Sequence, residues 1–302
     1  LILLVHFLDR TVKTADELER LLELPVLAVI PDISESGGAY GSYGYGYGYG
    51  ARRKSRRKVL DEETSRQIEL IPETRPRHSV SEAYRSLRTA LSLSSTHELR
   101  AVAVTSAEAS EGKTATAVNL GIVMAQLGRT VLLIDGDLRK PRLHKILEVS
   151  NRSGLVNYLT GGMEVDEIVL DTKFQGMSFL PAGPHPPNPS ELLASDRMKE
   201  ILGQVRQRYD FVIVDTPPAL AVTDASIMAS YLDGVVLCFR ANTILREDVR
   251  ACRNRLWLNE VKILGAVLNR YQPQRGGGQG RRYMYYEAYA EALEDDVSSS
   301  AA

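Results

Sequence analysis

Between Val104 and Thr116 the chain reads VTSAEASEGKTAT, and its EGKT core has the residue types needed to hold a phosphate chain. Against the pattern GxxxxGK[ST], Ala107 stands in the first position and Gly112, Lys113 and Thr114 fill the last three. In such a loop the backbone N–H groups of Ser110, Glu111 and Gly112 and of the following helix start point at phosphate oxygens. Gly112 permits close backbone approach, Lys113 reaches the β- and γ-phosphates, and the Thr114 hydroxyl ligates Mg²⁺. Two acidic segments have the complementary chemistry. VLLIDGDLRKP carries Asp135 and Asp137, and FVIVDTPP carries Asp215. A carboxylate after four apolar residues is often only a strand-ending turn. Beside a phosphate loop, Asp215 is expected to meet Mg²⁺ through water, while Asp135 and Asp137 divide metal binding and proton acceptance.

These groups must be positioned by the elements that carry them. AVAVTS (101–106), TVLLID (130–135), FVIVD (211–215), GVVLCFR and KILGAVLN are continuous apolar runs rather than alternating ones. That pattern predicts strands buried on both faces, hence a mostly parallel sheet with helices on both sides. KTATAVNLGIVMAQLG, DASIMASYL and REDVRACRNRLWL supply helices between them. Ligands of such sheets bind at the carboxyl ends of the strands, where the loop and all three aspartates fall. Upstream, SVSEAYRSLRTALSLSS predicts a helix with Ser79 and Glu82 as a capping box and Tyr84, Leu87 and Leu91 as its apolar stripe. Glu82, Arg85 and Arg88 line up beside that stripe, the pattern of a solvated charged face.

The 302 residues allow one large α/β domain with accessory segments, and a net charge of -1 gives no global attraction for nucleic acid. Two cysteines, Cys238 and Cys252, build neither a disulfide framework nor a metal site. Residues 1–35 begin with LILLVHFL, too short to span a bilayer, and continue as a helix and an apolar strand. LILLVHFL reads either as a short buried segment or as the end of a transmembrane helix. Residues 36–78 begin as a Gly/Tyr repeat that cannot offset the entropy of ordering, followed by the basic run Arg52–Lys58. That run is either a solvated linker or a contact for anionic lipid. The globular pattern covers 79–270. Residues 271–302 hold a Gly-rich stretch and then Tyr283, Tyr285, Tyr286 and Tyr289.

The phosphate loop, LLIDGDLRKP and VIVDTPP together resemble the Walker A, A′ and B motifs of bacterial tyrosine kinases, over roughly Ser79 to Asn269. GPHPPNPSELLASDRM and VTDASIMASYLDGVVL resemble connecting segments of that family. FLDRTVKTADELERLLELPVLAVIP resembles the stretch after the second transmembrane helix of polysaccharide co-polymerases, which carry the kinase as a cytoplasmic domain. The resemblance implies a P-loop fold and an ATP- and Mg²⁺-dependent protein tyrosine autokinase. It implies anchorage on the cytoplasmic side of the bacterial inner membrane, the transmembrane reading of LILLVHFL, and a role in capsule or exopolysaccharide polymerisation and export. It assigns Glu82, Arg85 and Arg88 to packing between subunits of a homo-oligomeric ring, Asn269 to adenine, and the four tail tyrosines to phosphate acceptance in a neighbouring copy. A phosphotyrosine phosphatase is an implied partner. The loop departs from the family at Ala109 and Ser110, where Pro and Gly are usual. Two alternatives stand beside this reading: a switch ATPase of the chromosome-partition or division-site type, and a nucleotide-binding scaffold with little activity.

Overall fold

The structure is a computed structural model, which describes residues 9–32, 70–94 and 98–272. The Gly/Tyr repeat, the basic run Arg52–Lys58, LILLVHFL and the tyrosine cluster lie outside these residues.

In chain order the elements are α1 (Ala15–Leu22), β1 (Val26–Pro31), α2 (Ile71–Thr74), α3 (Ser79–Leu93), β2 (Ala101–Ser106), α4 (Lys113–Ala125), β3 (Val131–Asp135), α5 (Leu143–Leu147), α6 (Leu155–Leu159), α7 (Val165–Ile168), β4 (Leu170–Asp171), β5 (Met177–Leu180), α8 (Pro189–Leu193), α9 (Asp196–Arg208), β6 (Phe211–Asp215), α10 (Asp224–Ala229), β7 (Gly234–Arg240), α11 (Arg246–Leu258) and β8 (Ile263–Tyr271). The strands form one sheet in the order β1-β8-β7-β2-β6-β3-β5-β4. Every pairing is parallel except that of the short edge strand β4 with β5.

The predicted layering follows from the strand compositions. Every residue of β2, β3 and β6 is buried, so both faces of the central sheet are covered. On one face, Tyr84, Leu87 and Leu91 of α3 pack with Leu120 and Ile122 of α4 against Val102, Val104 and Leu133. On the other face, Met198, Ile201, Leu202 and Val205 of α9 meet Leu132, Val212 and Val214. Towards β8, Val249, Cys252 and Leu256 of α11 join Leu18 and Leu22 of α1. Burial pushes both thiols, Cys238 and Cys252, up to about 12, which leaves them as inert packing groups.

Two expectations about the chain's organisation change. Residues 15–31 are not apart from the catalytic fold: β1 pairs with β8, and α1 packs on α11. Leu70 and Ile71, within the 36–78 stretch, are also buried in the core. The divisions at 35 and 78 therefore separate stretches of different composition rather than structural units. The α3 cap differs too. His78 is the N-cap, its imidazole Nδ1 accepting the Val80 N–H at 3.2 Å, while Ser79 is already helical. The expected capping box gives way to a single side-chain cap one residue earlier, because His78 carries an acceptor that meets the same need for an orphan N–H.

Candidate active site

β2, β3 and β6 lie side by side with their carboxyl ends together, which places the phosphate loop between two acidic strand ends. Val104 of β2 is in register with Asp215 of β6, and Asp215 is in register with Asp135 of β3. The loop 107–112 leaves β2 at that edge, and Lys113 opens α4 directly above it. Gly112 is the N-cap of α4 at φ +97, a conformation that a side chain would strain. A Cβ there would lie 1.8 Å from Asn269 Nδ2, so the position also lacks room for one.

The Lys113 ammonium lies 3.3 Å from Asp137 Oδ2 and 3.4 Å from Asp215 Oδ1. Burial works against its charge, but Asp215 and Asp137 outweigh that effect and hold its pKa above the usual value. Thr114 Oγ1 donates to Asp215 Oδ2 at 2.8 Å. Burial raises the Asp215 carboxyl, against the opposing pull of Lys113. Asp135 is pushed up to about 8, first by burial and then by the Asp215 carboxylate. Its Oδ2 accepts the Leu143 N–H at 3.1 Å, while its buried Oδ1 has no hydrogen-bond partner. Asp137 Oδ1 accepts the Lys140 N–H at 3.0 Å. Lys113, Thr114, Asp135, Asp137 and Asp215 thus form one constellation, as their types and spacing predict.

These residues fit Mg²⁺ with a nucleotide. An orphaned buried carboxylate oxygen beside a hydroxyl–carboxylate pair is an incomplete set of hard oxygen donors. Among the described residues no cluster of three His, Cys, Asp or Glu side chains forms a cage by itself. Mg²⁺ suits that arrangement, since it takes few protein ligands and completes its shell with phosphate and water.

Glu111 and Asn269 turn inward to the loop. Glu111 Oε2 accepts the Glu108 N–H at 2.8 Å and Oε1 the Arg240 N–H at 3.4 Å. Burial raises its carboxyl to about 7. Asn269 Nδ2 donates to Glu111 O at 3.0 Å and its Oδ1 accepts the Arg270 N–H at 2.9 Å. The residue expected at adenine therefore engages both side-chain polar atoms in bracing the loop and its own strand end. Ser110 stands at φ +68, in the left-handed region that favours glycine.

Of the Glu82, Arg85 and Arg88 row, Glu82 and Arg85 form an ion pair along α3. Arg88 instead donates to Val123 O at 2.8 Å, tying α3 to the end of α4. A further ion pair lies at the site, outside the residues singled out from the sequence. Arg139 donates from Nε and Nη2 to both oxygens of the fully buried Asp224, at 2.7 and 3.1 Å, and Ser190 Oγ donates to Asp224 Oδ1 at 2.6 Å. This contact pins the segment after Asp137 to α8 and α10. Its one sequence signal is a basic residue four places beyond the strand-end Asp135. A concavity of about 550 Å³ lies at the opposite end of the sheet, lined by Gly128, Arg129, Thr130, Lys173 and Phe174, and holds none of the constellation.

Comparison with known proteins decides among the readings of this site. The model of a family described as an AAA domain matches residues 99–245. The chain is 40% identical over 204 residues to the tyrosine-protein kinase YwqD of Bacillus subtilis, covering 67% of this chain and 86% of that protein. It is 34% identical over 213 residues to the putative tyrosine-protein kinase CapB of Staphylococcus aureus, covering 70% and 92%. The chain belongs to the bacterial tyrosine kinases. The solved kinase domain of the Escherichia coli tyrosine kinase ETK superposes with a TM-score of 0.73 at 31% identity, over 88% of this chain and 98% of that domain. Membership of this tyrosine kinase family sets aside the switch-ATPase alternative. Among the described residues of this kinase, no helix is long and apolar enough to cross a membrane.

Proposed function

We propose that the kinase transfers the γ-phosphoryl group of Mg·ATP to Tyr283, Tyr285, Tyr286 and Tyr289 of a neighbouring copy. The observation that carries this reading is the Lys113–Asp137–Asp215–Thr114 constellation at the end of the sheet from which β8 also departs. β8 ends at Tyr271, and Tyr283 follows twelve residues later, roughly 40 Å of fully extended chain. The acceptor segment is thus rooted at the site's own edge. By contrast, Tyr84 and Tyr158 are buried in the core, where no phosphoryl group can be delivered.

The roles follow from position. Gly112 and the loop N–H groups receive the phosphates, with Ser110 and Glu111 fixing the loop's path. Lys113 swings from its carboxylates to the β- and γ-oxygens, and Thr114 with Asp215 and Asp137 holds Mg²⁺. Mg²⁺ held there would supply charge neutralisation at the phosphoryl oxygens. The phenol oxygen bonds to the γ-phosphorus as the bond to the β-bridging oxygen breaks, ADP leaves, and Asp135 or Asp137 takes the phenol proton. The adenine contact the resemblance assigns to Asn269 would require its side chain to leave the Glu111 carbonyl.

In the cell this reading places the kinase as a homo-oligomeric ring on the cytoplasmic face of the membrane, joined through Glu82, Arg85 and Arg88. Arg52–Lys58 contacts anionic lipid, a phosphotyrosine phosphatase resets the tail, and the cycle governs polymerisation and export of an exopolysaccharide. A mixing experiment tests the transfer between copies. Full-length Lys113→Met protein, unable to act, is incubated with Mg·ATP and an active chain ending at Gln272. Phosphotyrosine on the Lys113→Met chain is expected; its absence, with the shortened chain active on a tyrosine peptide, would sink transfer between copies.

A further inference from the structure

We propose that the segment following Asp137 is a docking rim for acidic residues that flank the acceptor tyrosines. From Leu138 to Leu147 the chain carries Arg139, Lys140, Arg142 and Lys145 and no acid. The rim is fixed against the catalytic carboxylates by its own backbone: the Lys140 N–H is held by Asp137 and the Leu143 N–H by Asp135. Arg139 points down into Asp224 and anchors the segment. Lys140, Arg142 and Lys145 are exposed, and among the described residues neither Lys140 nor Lys145 forms an ion pair within 4.0 Å.

The other half of the argument is the tail. From Met284 to Ala302 it contains Glu287, Glu291, Glu294, Asp295 and Asp296 and no Lys or Arg. An acidic peptide has no reason to approach Asp135, Asp137 and Asp215 unless cations on the approach offset the repulsion. The rim supplies those cations within a few residues of the site. The substrate class is therefore a tyrosine followed by carboxylates, and the rim acts on peptide binding rather than on the chemical step. This inference rests on the proposed tail phosphorylation.

The test uses the full chain with Tyr283, Tyr285, Tyr286 and Tyr289 changed to Phe, so that its own tail does not compete as acceptor. Initial rates are measured at saturating Mg·ATP with a peptide of residues 283–297, and with the same peptide whose five acids are replaced by Gln or Asn. A KM about tenfold higher for the neutral peptide with similar kcat is expected, from a few exposed ion pairs of modest strength. The difference should shrink in 0.5 M salt. Lys140→Glu, Arg142→Glu and Lys145→Glu together should raise KM for the acidic peptide, leave KM for ATP unchanged, and recover on a peptide whose acids are replaced by Lys. Equal KM for the two peptides on the parent enzyme overturns the rim, whether or not the triple variant folds. A rise in the ATP KM alone reassigns it to nucleotide binding. No phosphate on either peptide overturns the rim and the tail reading together.

Discussion

Thr114 Oγ1 donates a 2.8 Å hydrogen bond to Asp215 Oδ2, joining the first turn of α4 to the end of β6 across the floor of the site. Asp215→Asn should therefore keep the fold yet lose the anionic oxygen. Phosphotyrosine formation is expected to fall at least ~100-fold, equivalent to about 2.7 kcal/mol of transition-state stabilisation. Because Asp215 is buried beside Asp135, the thermal midpoint should hold or rise. Calorimetry alongside a kinase assay checks both halves, and a variant with unimpaired turnover would remove Asp215 from the metal site.

Lys113→Met should abolish phosphotyrosine while leaving a folded protein with a lower melting point. Lys113 lies between Asp137 and Asp215, so its loss strands two carboxylates in a buried place. Some of that cost is relieved by protonation, leaving about 1–3 kcal/mol. Denaturant titration of the two proteins without nucleotide measures it. Full phosphotyrosine in the folded variant would mean that this lysine is not the phosphate cation.

Ser110→Gly should stabilise the protein by about 0.5–1 kcal/mol, since a residue with a Cβ is strained at φ +68. Ser110→Val should cost more than about 1 kcal/mol, because a branched side chain tolerates that region least. Reversal of this order in urea midpoints would show that the loop relaxes freely around position 110.

The Glu111 carboxyl titrates near 7 in the fold against an ordinary value of 4.5. The fold thus favours its protonated form. The contribution is complete below pH 4.5, declines as pH rises through 7, and is flat above. Glu111→Gln removes that slope but also one of two acceptors, for Glu108 or Arg240. Between pH 5 and pH 8 its stability relative to the parent should improve by about 2 kcal/mol. Parallel stability curves for the two proteins across that range would show that Glu111 carries no such load.

The Glu82, Arg85 and Arg88 row should divide by function. Glu82→Ala with Arg85→Ala removes an exposed pair and should change monomer stability by less than about 0.5 kcal/mol while lowering the molar mass of assemblies. Arg88→Ala should cost about 1 kcal/mol in the monomer, because it releases the Val123 carbonyl contact. Light scattering beside thermal melts separates the two effects. An unchanged molar mass for the double variant would return Glu82 and Arg85 to the status of a solvated face.

The constellation was legible because its aspartates and the phosphate loop stand at or just beyond runs of buried apolar residues. Ala101–Ser106, Val131–Asp135 and Phe211–Asp215 announce strands, and parallel strands bring their carboxyl ends to one edge whatever their order. Less could be read between Leu138 and Asp210. There α5, α6, α7 and α8 are four or five residues long, too short for a 3.6-residue period to repeat. α9 was missed for a different reason: polar residues outnumber Met198, Ile201, Leu202 and Val205 on its surface. The inward roles of Glu111 and Asn269 depend on β7 and β8 lying beside the loop, a contact between residues more than a hundred positions apart. Such long-range pairing leaves no local pattern.

The pairing of β1 with β8 has a further consequence for how short this kinase can be made. In a chain beginning at Ser79, β8 would become a nine-residue terminal strand with one whole side of its backbone unpaired. Ala266 and Leu268, now covered by α1 and β1, would face water beside it. A long apolar edge of that kind is a template for another chain's strand. Residues 11–31 thus keep the kinase from self-association through its own sheet, and trimming them should yield insoluble protein even with every catalytic residue in place.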